Sequence, residues 1–176
     1  MANTRLSTVP EDRLKALVDA ANQDPAAFKK VSRAVTVCQG GFLNATYIRD
    51  RNPVMIDEPP QLLGTDTTPN PSEHVLAALG ACLSVGYMAN ATAMGIAVEE
   101  LRLELEGDID ISPVWGVRRE TPPDQVAGFT EIRVKAHIKA DMTPEQEREL
   151  HERTLRWSPV ANTLRNPVRV VAELNP

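Results

Sequence analysis

The chain has 176 residues, 42% of them hydrophobic and 24% charged, which fits one globular domain able to fold without disulfide or metal support. A net charge of -5 argues against a nucleic-acid binder, and an aromatic content of 4% leaves little on which bases or sugars could stack. Two cysteines, Cys38 and Cys82, are too few and too far apart for a zinc site, and no His-Glu-x-x-His pattern is present.

The start, MANTRLSTVPEDR, lacks the basic segment, apolar stretch and small-residue cleavage site of a secretory signal. The longest apolar run, residues 75–97, is interrupted by Gly80, Ser84, Gly86, Asn90 and Thr92, a pattern of a buried helix rather than a membrane span. A cytoplasmic protein with reduced thiols is expected, with no cofactor, no metal, no nucleic-acid partner and no membrane association.

Leu14, Leu17, Val18 and Ala21 recur at helical spacing in residues 10–22, and Asp24-Pro25 opens a further short helical turn. VSRAVTVCQGGFLNATYIRD, residues 31–50, predicts two strands about a Gly40-Gly41 hairpin; PVMID predicts a third, and residues 61–70 a loop. A long helix is predicted over about 71–95, stopped at Gly95. LRLELEGDIDI alternates, with Leu101, Leu103 and Leu105 on one face. Residues 112–128 read as a long connection, and TEIRVKAHIKA alternates again, with Ile132, Val134, Ala136 and Ile138 inward. Thr143-Pro144-Glu145-Gln146 is a capping box that opens a helix to about Trp157; SPVANTL predicts a short helix and VRVVAEL a final strand. This order predicts an α+β fold with antiparallel sheets, not a parallel doubly wound one.

The stretch NPSEHVLAALGACLS, residues 70–84, begins as a helix cap, continues as an apolar run and buries a thiol, Cys82, three turns in. Together with the preceding MIDEPPQLLGTDTTP and the later EGDIDI, GFTEIRV and SPVANTL, it resembles the OsmC/Ohr family, in its broad OsmC-like branch. The resemblance covers roughly residues 31–174, so residues 1–30 read as an N-terminal helical extension and 31–176 as the OsmC-like domain.

The resemblance implies an intertwined homodimer, with antiparallel sheets around two central helices. It also implies a thiol peroxidase for organic hydroperoxides. One cysteine attacks the peroxide, a second before Pro-Val resolves it as a disulfide, and an Arg and a Glu activate the first. Cys82 matches the attacking position. The resolving cysteine is replaced: Cys-Pro-Val stands here as Ser158-Pro159-Val160. Serine followed by proline is a good helix start, but a hydroxyl forms no disulfide, so turnover would need an external thiol.

Each site residue also has a structural reading. Cys82 lies among Ala77, Ala78, Leu79, Ala81, Leu83 and Val85, where a cysteine can serve as a small hydrophobe. Glu73 holds the place of the family's glutamate, yet it is also the third residue of a capping box. At about 100° per residue the nine positions to Cys82 put the two on opposite helix faces. The family's arginine comes from the N-terminal strands, where Arg33, Arg49 and Arg51 compete with no motif to choose among them; Arg49 is the candidate, against the reading of a solvated charge. Cys38, on the face opposite Val35 and Val37, is expected to be structural, and could resolve Cys82 only if their Cα atoms came within about 7 Å. His74, His137 and His151 are scattered, without visible partners, and read as surface residues.

The expected function is therefore reduction of organic hydroperoxides through Cys82, with a small-molecule thiol as reductant. The alternative is a non-catalytic member of the fold that binds a hydrophobic small molecule at the dimer interface. A third class, Cys-dependent acyl transfer, would need a base near Cys82. His74, eight residues away and about 80° round the helix, is too far for that within one chain.

Overall fold

Two antiparallel sheets and four helices organise the residues that the computed structural model describes, namely 6, 9–116 and 127–174. The middle of the expected connection, residues 117–126, and most of the first eight residues lie outside the described residues.

Helix α1 (Glu11–Gln23) forms where Leu14, Leu17, Val18 and Ala21 recur, but none of its residues is fully buried. A 3₁₀ turn (Pro25–Phe28) follows, capped by Asp24, whose Oδ1 accepts from the N–H groups of Ala26 and Ala27. The Gly40-Gly41 hairpin is present: β1 (Val35–Gly40) pairs antiparallel with β2 (Leu43–Tyr47), which pairs in turn with β3 (Val54–Ile56). Every residue of β1 is exposed, so this small sheet has one edge strand with neither face covered.

The long helix α2 (Pro71–Ala93) starts at a complete capping box: Asn70 Oδ1 accepts from the Glu73 N–H at 2.9 Å, and Glu73 Oε2 from the Asn70 N–H at 2.8 Å. It ends at Gly95, φ +68°, with Ile96 N–H bonded to Ala91 O and Gly95 N–H to Thr92 O. That pair of bonds is a Schellman stop, and only glycine takes the left-handed position without strain. By length and apolarity α2 could cross a membrane. Here Leu79, Leu83, Tyr87 and Ala91 point from it into the protein core.

β4 (Val98–Asp110) and β5 (Gly128–Ala140) form the second sheet. Their register sets Leu101 opposite Ile138, Leu103 opposite Ala136 and Leu105 opposite Val134, all packed against the core. The intervening positions carry the charges, so the period-two alternation expected of a half-buried strand is realised. α3 (Pro144–Trp157) opens at the Thr143–Gln146 capping box, and its Leu150 and Thr154 face α2. Gly86 allows the close approach, since a Cβ there would stand 3.0 Å from Thr154 Cγ2. The core lies between these two helices, the second sheet and α4 (Pro159–Arg165). Leu83 and Leu150 are fully enclosed, and truncating either to alanine should cost about 2–5 kcal/mol.

The expected final strand over VRVVAEL is not formed. Residues 166–174 form no strand, with Val170 87% and Leu174 97% exposed. A strand exists only against a neighbour's N–H and C=O groups, and among the described residues no strand pairs with the segment.

Candidate active site

Cys82 is half-buried, near the middle of α2. What stands against it follows from a break between α3 and α4. Pro159 cannot continue a helix, and it pushes Ser158 into extended backbone, φ -69° and ψ 117°. Ser158 therefore caps α4, its Oγ accepting from the Ala161 N–H at 3.2 Å. The same hydroxyl donates to Cys82 Sγ at 3.2 Å. The helix after residue 158 lies beside the central one, and Ser158 is buried at the contact.

A cavity of about 590 Å³ lies between α2, α3, α4 and β5; its lining includes neither Cys82 nor Ser158. Val75, Leu79, Leu83, Ile132, Val134 and Leu155 supply an apolar lining, and His151 and Arg165 polar groups. His151 is not a free surface residue: its Nδ1 meets the Tyr87 hydroxyl at 2.5 Å. Burial, reinforced by the charge of Glu147, pushes the Tyr87 phenol up to about 12. The phenol thus keeps its proton across the neutral range. Arg165 is engaged too, donating to Leu155 O at 3.3 Å.

A smaller cavity, about 340 Å³, is lined by Glu58, Asn70, Glu73, Leu76, Val114 and Trp115 among others. Burial raises the Glu58 carboxyl above its usual range, as do the neighbouring charges of Asp57 and Glu73. Asp57 behaves oppositely. The Thr65 hydroxyl, first, then the Glu58 and Thr67 N–H groups and the Thr67 hydroxyl, hold its carboxyl far below the carboxylate range despite burial. These bonds to Asp57 pin the loop that leads into α2.

The remaining candidates are not gathered at the thiol. Glu73 serves the capping box, and Arg49 sits exposed in a left-handed turn after β2, φ +55°. Among the described residues neither bonds to Cys82, and Arg33 and Arg51 are exposed as well. Cys38 is an exposed free thiol whose nearest polar contact is Gly41 O at 3.8 Å. His137 is exposed as expected, though 3.5 Å from a Glu104 carboxylate oxygen, whereas His74 is half-buried rather than on the surface, its Nε2 enclosed without a partner. Sequence reasoning missed Asp57, Glu58 and the Tyr87–His151 contact. A threonine-rich loop after Asp57 was the one available signal; nothing local links Tyr87 to His151.

The fold and site define an α+β protein built on a thiol-bearing central helix, with antiparallel sheets beside it and a serine-capped helix closing over the sulfur. The chain belongs to the OsmC-like family: the family model for OsmC-like proteins matches residues 64–173. No curated protein matches it. Among solved structures, an OsmC-like protein from Mycoplasma pneumoniae superposes with a TM-score of 0.64 at 19% identity, covering 78% of this chain and 89% of that one. An OsmC-like protein of unknown function from Vibrio cholerae gives 0.63 at 12%, covering 77% and 94%. An organic hydroperoxide resistance protein from Legionella pneumophila gives 0.57 at 19%, covering 78% and 92%. At these identities the likeness establishes the OsmC-like fold.

Proposed function

We propose that the chain is a thiol-dependent reductase of organic hydroperoxides, acting in the cytoplasm as a homodimer through Cys82. The observation that carries this reading is the Cys82–Ser158 contact: the sulfur lies on the central helix against the position where the family's resolving cysteine would stand. The likeness to a protein of organic hydroperoxide resistance supports it.

In this chemistry the Cys82 thiolate attacks one peroxide oxygen. An S–O bond forms, the O–O bond breaks, and the alkoxide leaves to take up a proton as the alcohol. Cys82 is left as a sulfenic acid. Ser158 has no sulfur to condense with it, so a small thiol attacks instead, releasing water and forming a mixed disulfide. A second thiol then frees Cys82. A cation would favour the thiolate and the departing alkoxide, the role proposed for Arg49; Glu73 would orient it. Neither reaches Cys82 within one chain, so this part of the reading relies on a second copy.

The homodimer rests on exposed apolar surface. Val85 on α2 is 69% exposed, β1 is uncovered, and the 166–174 segment has no strand to join. A monomer by light scattering at micromolar concentration would rule it out.

A second reading, a non-catalytic protein that holds a hydrophobic small molecule, is favoured by the apolar cavity. Mass spectrometry after one equivalent of organic hydroperoxide, with a sulfenic-acid trap, separates the two. Peroxidase chemistry requires trapped Cys82, turnover only with added thiol or dithiol, and none in Cys82→Ser. A Cys82 inert to both peroxide and alkylating reagents leaves the binding reading. A Cys38–Cys82 disulfide would make Cys38 the resolver.

A further inference from the structure

The exchange of a sulfur for a hydroxyl at residue 158 does more than remove a resolving group. A serine hydroxyl has one hydrogen to donate and lone pairs to accept with. One lone pair of Ser158 is taken by the Ala161 N–H. Its hydrogen is donated to Cys82 Sγ, 3.2 Å away. Ser158 is 3% exposed, so water competes little for that hydrogen. Its backbone is held between α3 and Pro159, so the donor arrives already aimed.

We propose that Ser158 is a positioning residue for Cys82, its hydroxyl donating a hydrogen bond that fixes the sulfur's rotamer and favours the thiolate over the thiol. A hydrogen bond to a charged acceptor is stronger than one to a neutral partner, so the donation stabilises the reactive form selectively. After attack on a peroxide the same donor remains beside the sulfur.

On α3, Glu147 and His151 act on Tyr87; on α4, Arg165 donates to Leu155 O. On β4, Glu104 pairs with Arg102 and His137, and Glu106 with Arg133. The charged side chains of α1 are all exposed. Among the described residues Ser158 is the side chain that hydrogen-bonds Cys82.

The proposal deepens the peroxidase reading, but its test uses no peroxide. The rate of Cys82 alkylation by iodoacetamide is followed against pH in the folded protein, with peptide mass spectrometry counting Cys38 separately. Ser158→Ala should move the rise of the profile to higher pH and slow alkylation near neutrality severalfold. Ser158→Thr, which keeps the hydroxyl, should restore the wild-type profile. Ser158→Gly lacks the donor, adds no charge and is tolerated at a helix N-cap, so it should move the profile in the same direction as alanine does. It provides the test if the alanine variant does not fold. Profiles that superimpose on wild type in either donor-less variant overturn the proposal and leave Ser158 a cap alone. A Ser158-dependent profile on a thiol inert to hydroperoxide would instead overturn the peroxidase reading and keep this one.

Discussion

The Tyr87 hydroxyl and His151 Nδ1 meet at 2.5 Å, tying α2 to α3 at the wall of the larger cavity. Because burial raises the phenol to about 12, folding favours its neutral form. The unfolded chain ionises this tyrosine near pH 10, so the contribution to stability is complete below pH 10 and is lost as pH rises from about 10 to about 12. Tyr87→Phe should remove the Tyr87 part of that alkaline loss. It should also cost about 1 kcal/mol at neutral pH through the missing hydrogen bond. Denaturant melts at pH 7 and pH 11 check both; an unchanged alkaline limb would count against the assignment.

Ser158→Cys should turn the contact with Cys82 into a disulfide after one equivalent of hydroperoxide. The two side-chain atoms already stand 3.2 Å apart, and closing to an S–S bond needs an approach of about 1 Å. The bond would span α2 and the α3–α4 junction and should raise stability by about 2–4 kcal/mol over the reduced variant. Peptide mapping without reductant identifies the crosslink. Its absence in a folded variant that still binds alkylating reagents at both thiols would mean the helices do not sit as described.

Asp57 should contribute to the acid limb of stability. Its folded carboxyl is depressed, chiefly by the Thr65 hydroxyl, so it contributes stability above the unfolded value of about 3.9, lost as pH falls below it. Asp57→Asn keeps the size but offers a weaker acceptor to the four donors of Thr65 and Thr67. It should lower the melting temperature at pH 7 and flatten the fall in stability between pH 5 and 2. A variant that melts like wild type at both ends would show that the loop before α2 is held by something else.

Glu73→Ala should lower stability by about 1 kcal/mol through loss of the capping box, and Glu73→Gln by less. Thermal melts together with alkylation rates of Cys82 decide its role. A large fall in thiol reactivity at unchanged stability would establish Glu73 as part of the reaction machinery.

The sequence alone determined the elements whose causes are local. Both capping boxes, Asn70 with Glu73 and Thr143 with Gln146, join residues three apart; the Gly95 stop spans a single turn, and the leucine alternation of β4 needs only the strand itself. The family's thiol position, Cys82, was legible for the same reason, since it lies within one helical run. The tertiary structure decided what distant residues do together. Ser158 reads as a helix cap from its neighbours, and only chain closure over 76 residues lays its hydroxyl on Cys82. His151 reads as a surface residue until α3 packs on α2 and brings it 64 positions back to Tyr87. VRVVAEL carries the pattern of a strand, yet remains unpaired, because pairing belongs to the edge that receives a strand and not to the segment itself.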